Sequence, residues 1–137
     1  CDILDAKAFV NGLVGLMATG GSTNLVLHLP AMARAAGIAL SLEDFDDISS
    51  VTPLMAKVYP NGLADVNHFQ AAGGMQYMIG ELLEAGLMHE DVQTVAGTGM
   101  SHYTQEPRLE DDTVTFVEGP KKSENEKILR HSKPRAV

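Results

Sequence analysis

Apolar side chains recur at helical spacing over residues 5–18, where Ala6, Phe9, Val10, Leu13, Leu16 and Met17 share one face and Asp2 or Asp5 is suited to cap the amino end. Gly12 and Gly15 lie within that helix, each costing up to about 1 kcal/mol relative to Ala, which close packing against another backbone would offset. The pair Gly20-Gly21 breaks the pattern. A second helix starts from the capping types Ser22, Thr23 and Asn24 and runs to about Ala36, ended by Gly37. Pro30 inside it either kinks the helix or marks its true first turn. Ser41-Leu42-Glu43-Asp44 predicts a capped helix through about Ser49.

Residues 51–59 mix β-branched and apolar types with Pro53, so the stretch reads as an edge strand or an extended connection, closed by a turn at Tyr59-Pro60-Asn61-Gly62. The clearest helical stripe is Met75, Met78, Ile79, Leu82 and Leu83, with Glu81 and Glu84 facing out and Gly86 at its end. Asp65 to Ala72 either joins that helix or is separated from it by Gly73-Gly74. His89-Glu90-Asp91 predicts the start of another short helix with an acidic first turn. Beyond Thr94 the pattern thins: Thr113 to Val117 alternates like a short strand, and Glu118 to Lys133 is charged and weakly patterned.

Composition narrows the classes. A chain of 137 residues, 45% hydrophobic, supports one globular unit or part of one. Ten basic against eighteen acidic residues give a net charge of −8, which excludes a phosphate-backbone partner and hence nucleic acid. No run approaches about 18 consecutive apolar residues, so no membrane partner is expected and a cytoplasmic location is the default. The single cysteine, Cys1, rules out an internal disulfide and a metal or cluster site built from several of this chain's thiolates. Its place at the first position, directly before a helical pattern, is expected of an interior fragment.

Candidate chemistry concentrates at one turn. In Gly20-Gly21-Ser22-Thr23-Asn24 two glycines let a ligand approach the backbone, while helix N–H groups attract a carboxylate or phosphate and three polar side chains add donors. The competing reading is a helix cap and nothing more. His68, within Asp65-Val66-Asn67-His68-Phe69-Gln70, is a candidate acid, base or hydroxyl-binding group, or else a structural histidine. His28 reads as structural. His89, Glu90 and Asp91 do not read as a metal triplet, because adjacent helical residues point apart. No catalytic or metal-ligating residue is assigned; nucleophile elbow, phosphate-loop and dinucleotide fingerprints are absent.

The run Ala18-Thr19-Gly20-Gly21-Ser22-Thr23-Asn24, with Leu27-His28-Leu29 and Ala31 to Ile38, resembles the family of dihydroxy-acid and 6-phosphogluconate dehydratases. Cys1 to Lys7, Tyr59 to Gly62, Asn67 to Gly74 and His89 to Gly97 are similar to its 6-phosphogluconate branch. The likeness covers roughly residues 1–110.

That resemblance implies an α/β fold: an α-rich fragment of a layered αβα dehydratase domain over 1–110, then a loop-rich boundary segment over 111–137 whose short β-containing tail leads toward a second, β-rich domain. It implies a hydro-lyase of the Entner–Doudoroff pathway that converts 6-phosphogluconate to 2-keto-3-deoxy-6-phosphogluconate. Another sugar acid or a dihydroxy acid is the alternative substrate, and a non-catalytic scaffold or dimer-interface segment the alternative role. A 4Fe-4S iron–sulfur cluster, with magnesium often assisting, belongs to the family's full-length proteins, whose cluster cysteines lie upstream and whose serine base lies in the downstream domain. The implied partners are a sugar-acid phosphate, the rest of the parent chain and a second subunit in a homodimer. Substrate binding by Gly20, Gly21, Ser22, Thr23, Asn24 and His68 is the site expectation, and the fragment by itself is expected to be inactive. At the carboxyl end, Arg135-Ala136-Val137 follows Pro134 where a relative would continue into a Gly-rich stretch, so an omitted segment is expected there.

Overall fold

The computed structural model describes residues 2–132; the readings of Cys1 and of the Lys133–Val137 junction lie outside them. Five helices come first: α1 (Ala6–Thr19), α2 (Asn24–Ala35), α3 (Leu42–Val51), α4 (Val66–Ala72) and α5 (Gly74–Glu84). Two antiparallel hairpins follow, β1 (Gln93–Thr94) with β2 (Gly97–Thr98) and β3 (Gln105–Glu110) with β4 (Thr113–Glu118), separated by a 3-10 turn at Met100–Thr104. The α-rich fragment with a short β-containing tail is what the residue pattern led one to expect.

Local chemistry explains the helix ends. Asp5 accepts the Ala8 N–H to start α1, and Ser41 and Asp44 form a reciprocal capping box on α3. Gly20 sits in the left-handed region (φ 60), and the Gly21 N–H returns to the Leu16 carbonyl, so α1 closes on a Schellman motif. Gly37 closes α2 likewise, with Ile38 N–H on the Ala33 carbonyl. Pro30 lies within α2. Gly73 (φ 144) stands between α4 and α5 and Gly74 (φ 65) opens α5, so the positive φ at both makes them two helices.

The larger core cluster draws together Val14 and Ala18 of α1, Phe69 and Ala72 of α4, Tyr77, Met78, Ile79 and Leu82 of α5, and Met55, Ala56, Met88 and Leu129 from the connecting segments. A smaller cluster joins Leu13 and Leu16 to Phe45 of α3. Residues 55–58 take the extended-connection reading: Ala18 accepts the Met55 and Ala56 N–H groups, and single bridges tie Ala56 to Leu129 and Val58 to Ala64. Leu129 is thereby carried into the core at 0% exposure by a segment whose sequence is mostly charged.

Three expectations fail. Among the described residues Gly12 and Gly15 pack against no other backbone: a Cβ on Gly12 would meet only a Leu29 methyl at 3.9 Å, and one on Gly15 nothing within 4 Å. Glu81 does not face out: it is 7% exposed, and its Oε2 accepts the N–H and Oγ of Ser132 and lies 3.2 Å from His131 Nε2. Residues 89–91 are not a helix. The buried Asn11 side chain clamps His89 at both backbone groups, accepting its N–H at 2.7 Å and donating to its carbonyl at 2.8 Å, and this fixes the chain in a non-helical course. Glu90 is likewise spent on the Ser101 N–H and hydroxyl.

Candidate functional site

The Gly20–Asn24 turn is built against a second loop. Asn61 Nδ2 donates to the Gly20 carbonyl at 2.8 Å, and a Cβ on Gly20 would stand 2.2 Å from that same nitrogen and 2.9 Å from a Leu54 methyl. Positive φ and steric contact thus both require glycine at position 20. Gly62 is held as tightly, since a Cβ there would lie 2.2 Å from the Lys57 carbonyl oxygen. Gly21 is less constrained, its nearest neighbour being a Leu16 methyl at 3.0 Å.

The cap reading accounts for only part of the turn. Ser22 Oγ accepts the Asn24 N–H at 3.2 Å, and the carbonyls of Ser22 and Thr23 accept the Leu25 and Val26 N–H groups. Fewer helix N–H groups are therefore open to an anion than the sequence suggests. Thr23, in the N-cap position, makes no side-chain cap hydrogen bond. The Thr23 hydroxyl and the Asn24 amide carry no hydrogen bond among the described residues, and residues 21–24 are exposed. Two uncommitted polar side chains beside a fixed glycine turn are what a carboxylate or hydroxyl ligand needs.

His68 occupies a different local network. Asp65 Oδ1 accepts the N–H groups of Asn67 and His68, while His68 Nδ1 lies 3.3 Å from the Asp65 nitrogen and 2.8 Å from Asp65 Oδ1. Unprotonated, Nδ1 accepts the Asp65 N–H and completes a capping box; protonated, it pairs with the carboxylate. Either way Nδ1 is committed, and Nε2 is the nitrogen free to meet a ligand. Hydrogen bonding to the His68 backbone, then the neighbouring imidazole charge, holds the Asp65 carboxyl below the usual carboxylate range. Among the described residues His68 makes no hydrogen bond to the Gly20–Asn24 turn, so the structure links the turn to Asn61 and leaves His68 within its own cap.

Asn61 is the residue that sequence reasoning left out of the site. The turn signal at Tyr59–Gly62 marked its loop, but nothing local shows that the loop reaches Gly20. An open groove of about 570 Å³ runs beside the turn, lined by Gly12, Leu16, Thr19, Leu25, Ile79 and Tyr103 among others, with no charged side chain in its walls. A phosphorylated sugar acid would find no charged partner there. His28 is exposed, as are Leu25, Leu27 and Met32 of α2, which buries Ala33.

Among the described residues no group of three or more His, Cys, Asp or Glu side chains is placed to hold a metal ion. These residues do not fit an iron–sulfur cluster, and none of them is assigned to one. No helix among the described residues is long and apolar enough to cross a membrane.

Sequence kinship defines the class. The chain belongs to the dihydroxy-acid/6-phosphogluconate dehydratase N-terminal family, which matches residues 1–103. It is 58% identical over 129 residues to the phosphogluconate dehydratase of Pseudomonas aeruginosa, covering 94% of this chain and 21% of that protein. The phosphogluconate dehydratase of Escherichia coli K12 is 57% identical over 127 residues, 93% of this chain and 21% of its own length. A dihydroxy-acid dehydratase of Roseiflexus castenholzii is 47% identical over 96 residues, 70% of this chain and 17% of its own. The chain thus spans about a fifth of the length of the curated relatives it matches.

Proposed function

We propose that this chain is the part of a phosphogluconate dehydratase that supplies a substrate-binding turn, Gly20-Gly21-Ser22-Thr23-Asn24, to a hydro-lyase acting on 6-phospho-D-gluconate. The observation that carries the substrate choice is the graded similarity: 58% identity across 94% of the chain to a phosphogluconate dehydratase, against 47% across 70% to a dihydroxy-acid dehydratase. A dihydroxy acid is the second reading, favoured by that latter relative.

Dehydration takes a proton from C2 and the hydroxyl from C3, which leave together as water. The enol formed between C2 and C3 tautomerises to the 2-keto acid, 2-keto-3-deoxy-6-phosphogluconate. In this reading the chain's own residues bind and orient. Asn24 and Thr23 meet the polar end of the substrate, Gly20 and Gly21 let it reach the backbone, and the Nε2 of His68 is available to a substrate hydroxyl. The proton and hydroxyl transfers fall to other parts of the polypeptide, as do the iron–sulfur cluster and magnesium. A homodimeric assembly and a cytoplasmic location remain parts of the same proposal.

The test is the substrate profile of the full-length polypeptide that contains this segment. Turnover of 6-phosphogluconate at least ten-fold faster than of a short-chain 2,3-dihydroxy acid is expected. The reverse order would transfer the chain to the dihydroxy-acid branch, and no dehydration of either acid would remove the catalytic reading.

A further inference from the structure

The β3–β4 hairpin has two unlike faces. Glu106, Thr115 and Val117 share the half-buried face with Arg108. On the other face the register sets Pro107 opposite Phe116 and Leu109 opposite Val114, so four apolar side chains stand side by side. Leu109, Val114 and Phe116 are 71%, 59% and 64% exposed. Together they offer a continuous apolar surface on the order of 300 Å², the lower end of the range for the largest apolar patch of a monomer, which is often functional. The hairpin is paired along its whole length, from Gln105 with Glu118 to Glu110 with Thr113, so this surface is preformed.

Two facts bear on its occupant. The family's N-terminal domain matches residues 1–103, and β3 begins at Gln105, so the hairpin follows that domain directly. The similarity to the P. aeruginosa enzyme nonetheless spans 129 of the 137 residues, leaving at most eight out, fewer than the fourteen of the hairpin. The hairpin region is therefore shared with proteins of which this chain covers 21%, where roughly four-fifths of the polypeptide is available to pack against it.

We propose that Pro107, Leu109, Val114 and Phe116 are the seat on which the portion of the dehydratase polypeptide beyond its N-terminal domain docks through an apolar surface of its own. The inference rests on the reading that this chain is part of a longer dehydratase, but not on which acid that enzyme dehydrates. Burial of the hairpin is measured independently of turnover, so the two can fail separately.

The experiment places cysteine at these positions in the full-length polypeptide, as Phe116→Cys and Leu109→Cys, with Glu110→Cys as the exposed reference. Maleimide labelling is then followed by the mass of the hairpin peptide. The seat predicts labelling at 116 and 109 at least ten-fold slower than at 110, with no change on dilution. Equal rates at the three positions would overturn it. Slow labelling that recovers on dilution would assign the face to a second copy and would also overturn it. Hydroxyl-radical footprinting of the unsubstituted protein reads the oxidation of Phe116 and Leu109 directly, and decides the matter if a cysteine variant misfolds.

Discussion

Asn61 donates its side-chain amide to the carbonyl of Gly20 at 2.8 Å, joining two loops 41 residues apart and fixing the turn from which α2 departs. Gly20 accommodates the contact because it lacks a Cβ and adopts φ 60. Replacing Gly20 by Ala forces both a strained backbone and a clash, so a loss of about 2 kcal/mol or more in unfolding free energy is expected. Asn61→Ala removes one exposed hydrogen bond and costs about 1 kcal/mol. Urea denaturation of both variants checks the order; equal losses would mean that the amide contact, not the missing Cβ, governs the turn.

The clamp of Asn11 on His89 spans 78 residues and satisfies a donor and an acceptor in a part-buried setting. Asn11→Ala leaves both backbone groups without their partner, with an expected cost of about 2–3 kcal/mol. Hydrogen exchange at the His89 amide should accelerate in the same variant, and unchanged protection there would show that the clamp does not hold this stretch.

Leu129 is fully buried against α1 and α5 although its surroundings in sequence are charged. Leu129→Ala should cost about 2–5 kcal/mol, the range for a core leucine that leaves a cavity. A loss below about 0.5 kcal/mol, within the range of ordinary surface substitutions, would show that residues 128–132 are not part of the cooperative unit.

The Asp65 carboxyl is held below its ordinary range chiefly by accepting the His68 backbone N–H. A depressed carboxylate contributes stability above its unfolded pKa, and that contribution is lost as pH falls through the folded value. The amino end of α4 should therefore loosen only in acid, below the ordinary carboxylate range. The Asn67 and His68 amide shifts, followed by NMR against pH, should report this transition, and Asp65→Asn should abolish it. Titration of those amides in the ordinary carboxylate range or above would contradict the cap geometry.

Where partners are close in sequence, the chain could be read directly. Asp5 and Ala8, Ser41 and Asp44, and the glycines at 20, 37 and 73 lie within a few residues of the groups they satisfy, so α1, α2, α3 and their ends follow from pattern and capping. Glu81 reads as outward-facing from the sequence, because a lone Glu on a helix reads as solvated and its partners Ser132 and His131 are about fifty residues away. The helix expected at His89–Asp91 failed for the same reason, its course being set by Asn11. Strand β3 was hidden by its charges and by Pro107, tolerated because the hairpin is two-stranded and Pro107 needs no donor toward the outside. Its turn, Asp111-Asp112, takes positive φ at both residues (46 and 59), the geometry of a type I′ hairpin without the usual glycine. The same divide runs through the site: the residues of the Gly20–Asn24 turn are local, and Asn61 is not.

Binding of the acid substrate by the Gly20–Asn24 turn is tested most directly at Asn24, whose side chain is exposed and carries no hydrogen bond among the described residues. In the full-length polypeptide, Asn24→Ala should leave the melting temperature within about 1 °C while raising the KM for 6-phosphogluconate at least ten-fold, the equivalent of about 1.4 kcal/mol of lost binding. An unchanged KM and kcat in a fully folded variant would contradict the account and return the turn to the role of a helix cap.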